Sequence, residues 1–418
     1  MREMKCSGVP WIGNIPVDWQ LVSVKRLFSI GRGRVIAQTE LEETGYPVYS
    51  SQTKDNGCLG YIDTYDYDYP QLTWTTDGAN AGSIFLRTGY YNCTNVCGTL
   101  NPTDVLVDLR YQKYALEHIA YNERRIDTNG YKIMNNEMAI IKTLLPPSSV
   151  QHQIADYLDT KCAQIDTIIA REQSVIEKLH EYKQAIITQA ITRGLNPSTK
   201  MKKTGLKWMG MVPEHWDVKK IKYLTSKIGS GKTPKGGSDV YIDEGVLFIR
   251  SQNVYDGYFD LSSVAFISHE IDSTMSNTRV YRNDVLLNIT GGSIGRSCLY
   301  ESDEPANVNQ HVCIIRCNNQ MRPKFMQYFW NSRIGKISID IYQSGANREG
   351  LNFTEIGNTF VPTPELHEQD QIIDYLDGKC GVINNVIQQK HSLINKLAEY
   401  KKSLIYEVVT GKKEVPHV

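Results

Sequence analysis

The sequence predicts a mixed α/β (α+β) fold in which two globular domains are separated by two long antiparallel coiled-coil helices, built on a pseudo-two-fold internal repeat. Three observations predict it. The segment Trp11-Ile-Gly-Asn-Ile-Pro16-Val-Asp-Trp19 returns as Trp208-Met-Gly-Met-Val-Pro213-Glu-His-Trp216, with Trp, Gly, Pro and Trp at an offset of 197. A longer repeat at an offset of 218 aligns residues 151–192 with 369–410, identical at 20 of 42 positions without a gap. The stretches between these landmarks, 20–145 and 218–362, resemble each other far less, so a repeated frame carries two variable domains.

In chain order, each opening motif leads into a variable domain. In the second domain, apolar runs at 246–251, 284–289 and 311–316 are bounded by Gly and Asn and read as strands. Helical patterns fall at 111–124 and 324–337, one in each domain.

The repeated segments then read as long helices. Ile154, Leu158, Cys162, Ile165, Ile169, Ile176, Leu179, Tyr182, Ile186 and Ala190 form one stripe. Ile372, Leu376, Cys380, Ile383, Ile387, Ile394, Leu397, Leu404 and Val408 form the other. Steps of three, four and seven define a single apolar face. Ser148 with Gln151, just after the helix-excluding Pro146-Pro147, predicts a capping box, and Gly194 and Gly411 stand at C-terminal cap positions. At 1.5 Å per residue each helix runs about 60 Å. Two copies of one stripe in one chain predict an antiparallel intramolecular pair. Two separate hairpins or a coiled coil between chains are the alternatives. Leu195–Gly205, rich in Lys with Pro and Ser, reads as an exposed linker.

Composition narrows the function classes. The 418 residues are 41% hydrophobic and 22% charged, which fits a core-forming protein and excludes wholesale disorder. No apolar run approaches the ~18–20 residues that span a bilayer. The opening MREMKCSGVPWIGNIP lacks the apolar centre of a signal peptide. Nine scattered cysteines read as reduced thiols in a cytoplasm. The 46 basic and 46 acidic residues cancel, which excludes a polycation held by phosphate attraction alone and leaves local basic patches open.

Catalytic motifs are missing. Gly229-Ser-Gly231-Lys232-Thr233 ends like a phosphate-binding loop, but the required earlier glycine is Ser226 and Pro234 follows directly. Gly31-Arg-Gly33 is too short for a dinucleotide fingerprint. Asn101-Pro102-Thr103-Asp104 lacks the second proline and aromatic of an amino-methyltransferase signature. Cys93-x3-Cys97 and Cys313-x3-Cys317 have no complementary pair for tetrahedral zinc, so no metal site is expected.

The variable domains offer polar loops instead. The first places Arg32, Arg34, Gln52, Lys54, Thr76 and Asn80 in them. The second places Lys232, Thr233, Lys235, Arg250, Gln252, Asn253, Thr290, Ser293, Arg296, Gln310, Gln343, Asn347 and Arg348. Arg, Lys, Gln and Asn bond base edges, while Ser, Thr and glycine amides reach phosphates. Any one of these side chains is better explained as a turn former or solvated loop residue; the recurrence in both halves makes the set a candidate DNA interface. Residues 218–362 carry net +2 (16 basic, 14 acidic) and 20–145 carry net −2 (12 basic, 14 acidic), so charge alone does not argue for DNA.

Particular motifs make the chain resemble the specificity subunit of type I restriction-modification enzymes. They are Ile228-Gly-Ser-Gly-Lys-Thr-Pro234, Leu287-Asn-Ile-Thr-Gly-Gly-Ser-Ile-Gly295, Asn307-Val-Asn-Gln-His311 and Gly350-Leu-Asn-Phe-Thr354. Pro362-Thr-Pro364 with Glu368-Gln369, and the two Trp-Gly-Pro-Trp openings, complete them. The first half departs at Val150, where the second has Glu368, and Thr75-Thr-Asp-Gly-Ala-Asn-Ala-Gly82 matches only loosely.

The resemblance implies target-recognition domains at 1–147 and 207–363, spacer helices at 148–194 and 364–418, and a linker at 195–206. It implies a non-catalytic, cytoplasmic subunit that reads a bipartite, asymmetric double-stranded DNA target. Its implied partners are two methyltransferase subunits using S-adenosylmethionine on adenine and, in a restriction system for phage defence, two motor-nuclease subunits using ATP and Mg. This chain itself would bind no cofactor. The repeated Glu181-Tyr182-Lys183 and Glu399-Tyr400-Lys401 are the candidate methyltransferase-docking residues. Two other readings stay open: a coiled-coil scaffold that organises partners without sequence readout, and an enzyme carrying its own recognition domains.

Overall fold

The computed structural model describes residues 2–128, 130–343 and 350–416. The chain forms two compact units, Met1–Glu172 with Ser392–Val418, and Gln173–His391. This division cuts both long helices, Ser148–Arg193 and Leu366–Val409. Each unit thus holds one variable domain, part of the helix that follows it and part of the other helix.

In the first unit a four-stranded antiparallel sheet runs Phe28–Arg32, Cys97–Pro102, Gln71–Thr75, Ile84–Arg87. Gln71–Thr75, buried at every residue, is an inner strand and carries Leu72 and Trp74 into the core. Helix Leu109–Glu123 covers the sheet with Leu116, Ile119 and Ala120, and Asp108 caps it by accepting from the amides of Arg110 and Tyr111. A smaller sheet orders Cys58–Ile62, Tyr46–Tyr49 and Asn92–Cys93, the last two parallel.

The second unit repeats this plan with different residues. Its main sheet runs Thr225–Ser230, Val312–Cys317, Val285–Asn288, Ser297–Leu299, in matching order and direction. Val246–Ile249 lies parallel to Ala306–Val308, as Tyr46–Tyr49 does to Asn92–Cys93. The helix expected at 324–337 is interrupted. Pro323–Asn331 and Arg333–Gln343 meet at Ser332, whose backbone is extended (ψ 162°) and whose hydroxyl accepts from the Gly335 amide, capping the second piece. Short helices Asn135–Ile140, His269–Thr274 and Phe353–Asn358 add to the one helix expected in each domain.

Met201–Lys203 is a strand paired with Met211–Pro213, as Met4–Cys6 is with Asn14–Pro16. Part of the stretch read as an exposed linker, 201–203, is therefore paired backbone with Met201 and Lys202 half-buried.

Within each unit the long helices run antiparallel. In the first, Ile154, Leu158, Cys162 and Ile165 bury against Leu404, Val408 and Val409 together with Trp19, Tyr111 and Tyr114. Further along, Asp166 meets Lys401. In the second, Lys183 donates to Asn384 at 2.8 Å, while Gly194 lies beside Glu368. Tyr182, placed in the stripe by its spacing, is 58% exposed; Ile186 and Ile187 take the buried positions. Gly194 and Gly411 follow the helices with φ of 68° and 70°, the left-handed conformation of a C-terminal cap.

Gln151 does not form the capping box. Buried at 1% exposure, it accepts from the Asp108 amide (3.0 Å) and donates to the Pro146 carbonyl (2.9 Å). Gln369 accepts from the Arg322 amide (2.8 Å) and donates to the Pro364 carbonyl (2.9 Å). The same repeated glutamine thus ties each domain helix to the start of the long helix behind it. The backbone amide at a domain helix start is a buried donor that must be satisfied, and this outcompetes a local cap.

Candidate DNA interface

Strand register decides where the polar loops go. In the second domain Ser230 pairs with Cys313 and Asn288 with Val312, so two strands end beside residues 309–312. The parallel pair Val246–Ile249 and Ala306–Val308 ends there too, with the Asn309 amide donating to the Ile249 carbonyl at 3.0 Å. The loops opened by Gly231, Arg250, Ile289 and Asn309 therefore leave from one end of the domain. In the first domain Arg32 pairs with Gly98 and Thr75 with Cys97, and Tyr49 pairs with Cys93. The loops after 32, 49, 75 and 93 cluster in the same way.

Both clusters need glycine at the tightest crossing. A Cβ on Gly231 would overlap the Val308 carbonyl, and one on Gly33 would overlap the carbonyls of Cys93 and Thr94. These glycines let each first loop cross the end of the parallel strand pair.

In the first domain Arg32 is exposed and its Nη2 donates to Thr76 Oγ1 at 3.2 Å. Thr76 is fully buried and donates in turn to the Val96 carbonyl (3.0 Å), so it supports Arg32 rather than facing a ligand. Arg34 pairs with Asp66 at 3.0 Å. Gln52 is half-buried and donates to the Cys58 carbonyl, Lys54 is exposed on the turn Lys54–Gly57, and the Asn80 backbone carbonyl accepts from Thr75.

In the second domain Lys232, Thr233 and Lys235 are exposed, with Lys232 Nζ 3.0 Å from the Thr274 carbonyl. Arg250 donates to the Ser263 carbonyl (2.9 Å) and Gln252 to Ser263 Oγ (3.3 Å). Asn253 is buried and bonds the carbonyls of Asp260 and Ser263; like Thr76, it shapes its loop and is corrected from a contact to a support. Ser293 is half-buried in the turn Gly291–Ser293, and Arg296 stacks over the Tyr255 ring at 4.8 Å. Gln310 is exposed, accepts from Thr233 Oγ1 and has its Nε2 3.1 Å from His311 Nε2, while His311 Nδ1 lies 2.6 Å from Thr290 Oγ1. Gln343 ends its helix, and Gly350 bridges Thr290. Asn347 and Arg348 lie outside the described residues.

Elsewhere Arg110, Arg125, Arg279, Arg282, Arg316 and Arg322 each pair with a carboxylate. Among the described candidates only Arg34 does. Arg32, Arg250 and Lys232 bond neutral oxygens, which leaves their charge uncompensated for an anion.

Sequence reasoning passed over three residues here. Register places Asn95, exposed, where the second domain has Gln310; the shared spacing Asn92-x-x-Asn95 and Asn307-x-x-Gln310 was the available signal. His311 was seen only as part of a motif. Arg87, 1% exposed, donates to Thr73 Oγ1 and to the Asn56 carbonyl at 2.6 Å, pinning the turn that bears Lys54. Burial pulls its pKa below the usual arginine value. Nothing in sequence marks an arginine as buried.

Of the docking candidates, Glu181, Tyr182, Glu399 and Tyr400 are exposed. Lys183 and Lys401 turn inward to the neighbouring helix, at Asn384 and Asp166, because a long amphipathic side chain beside the seam reaches across it. Among the described residues no His, Cys, Asp or Glu group is arranged to hold a metal, and no helix is long and apolar enough to cross a membrane.

The chain is 26% identical to the type I restriction enzyme MjaVIII specificity subunit of Methanocaldococcus jannaschii, over 97% of this chain and 95% of that one. It is 29% identical to the EcoBI specificity subunit of Escherichia coli over 60% of this chain, and that match spans 55% of the relative's length. A solved chain from work on the assembly and conformational transition of a type I restriction-modification system shares the fold, with a TM-score of 0.72, 12% identity and coverage of 96% and 99%. The family model for the type I restriction modification DNA specificity domain matches twice, at residues 16–178 and 213–396, and the chain belongs to that family.

Proposed function

We propose that the chain is the sequence-reading subunit of a type I restriction-modification system, each domain reading one half of a bipartite, asymmetric double-stranded DNA target. The observation that carries this is the pair of matching loop clusters, in which Arg32 in the first domain and Lys232 and Arg250 in the second bond neutral oxygens beside the exposed amides Asn95 and Gln310. Uncompensated cations suit phosphates, and amides suit base edges. The domains are 1–147 and 207–363, with 195–206 between the halves. The helices 148–194 and 364–418 set the unspecified gap.

The chain directs other subunits and performs no chemistry. Two methyltransferase subunits dock on the exposed Glu181-Tyr182 and Glu399-Tyr400 faces, one per repeat. S-adenosylmethionine, and where motor-nuclease subunits join, ATP and Mg, belong to those partners in the cytoplasm. With net charge zero, the chain alone binds DNA weakly, because partners supply much of the phosphate neutralisation.

Replacing residues 20–145 with those of a relative tests the reading. The hybrid should modify a target changed in one half only. Unchanged specificity would remove the first domain from readout.

A further inference from the structure

We propose that Gln310 reads an adenine through its major-groove edge, and that Thr233 and His311 hold its amide in the reading orientation. The inference rests on the DNA-reading assignment above and names the base class that one position takes.

Gln310 is exposed at the centre of the loop cluster, one residue past the crossing of Gly231 over Val308 and Asn309. Its two amide ends are held on opposite sides. Oε1 accepts from the Thr233 hydroxyl, and Nε2 donates to His311 Nε2 at 3.1 Å. Accepting at Nε2 leaves the His311 proton on Nδ1, where it is donated to Thr290 Oγ1 at 2.6 Å. Thr290 is fixed by its bridge to Gly350. Three side chains from three loops therefore define which way the amide faces.

A primary amide has two acceptor lone pairs and two N–H donors. The two internal bonds use one of each, which leaves one acceptor beside one donor. Only adenine offers the complement in the major groove, with the N6 amine donating and N7 accepting; guanine presents two acceptors there. A free glutamine would spend rotamer entropy to order this edge, and an unheld amide could flip. Here both are settled before binding. The register-equivalent Asn95 carries the other amide side chain that pairs with adenine, so the same side-chain chemistry occupies the same position in the first domain.

The test uses the full chain assembled with its methyltransferase and duplexes containing its target. At one adenine of the second half-site, 7-deazaadenine removes the N7 acceptor and leaves base pairing intact. Wild type should lose roughly 10- to 100-fold in affinity there, while Gln310→Ala should bind both duplexes equally. Gln310→Glu, an acceptor only, should shift preference at that position alone toward cytosine. Thr233→Val with His311→Phe should keep binding but weaken discrimination at the same base. If 7-deazaadenine at every adenine of the half-site leaves wild-type affinity unchanged, or if Gln310→Glu weakens all positions uniformly, the Gln310 assignment is wrong and the DNA-reading function stands. If wild type selects no sequence at all, both fall.

Discussion

Lys401 Nζ lies 2.7 Å from both carboxylate oxygens of Asp166, joining two helices 235 residues apart in the chain. The repeat places Lys183 against Asn384 at the corresponding position, so one link is charged and the other neutral. Asp166 is more than half exposed, and an exposed pair contributes about 0.2–1 kcal/mol that salt screens. Lys401→Met should therefore lower stability by no more than about 1 kcal/mol. Leu404→Ala, at a 1% exposed site, should cost about 2–5 kcal/mol. Denaturant melts of the two variants check the order; a larger loss for Lys401→Met would mean that the helices are held by charge.

One hydrogen bond of the second opening motif is missing from the first. Trp216 Nε1 donates to Glu368 at 2.8 Å, whereas Trp19 Nε1, equally buried, has no partner among the described residues. Position 150, equivalent to Glu368, is valine. Glu368→Val should cost about 1–3 kcal/mol by orphaning a buried donor. Val150→Glu, supplying the missing acceptor, should raise the melting temperature, and a drop would show that Val150 packing outweighs the bond.

Gly231→Ala puts a methyl group into the Val308 carbonyl. Val308 belongs to the core that holds Leu286 and Ile314, so the variant should also lose stability, and its DNA binding is compared at a temperature where circular dichroism shows it folded. It should lose at least tenfold in DNA affinity at the second half-site, and an unchanged affinity would place the contact surface elsewhere.

The nine cysteines are free, but they differ in access. Burial pushes the thiols of Cys298 and Cys313 up to about 12, while Cys6 is exposed. Thiolate is the reactive form and burial also bars the reagent, so alkylation at pH 9 should label the exposed Cys6 and leave Cys298 and Cys313 untouched until the fold opens. Peptide mapping after iodoacetamide treatment reads this directly.

Most of the frame was legible because repetition and apolar spacing report packing. The 218-residue offset exposed both long helices, and the strands expected at 246–251 and 284–289 appear slightly trimmed and that at 311–316 appears one residue later. What sequence could not show depends on register. Thr76 and Asn253 look like surface residues by type, yet strand ends carry them inward. Asn95 looks like any loop asparagine until parallel pairing aligns it with Gln310. Ser332 splits a helix whose apolar pattern continues through it, because a local hydroxyl cap competes with propagation.

The central claim is that this chain selects DNA sequence in two separate halves. The most direct measurement is the map of modified adenines in a methylation-deficient host that expresses the chain with its methyltransferase. A single two-part motif with a fixed unspecified gap is the predicted result. A stable complex that leaves no modified adenine would contradict it and make the chain a scaffold.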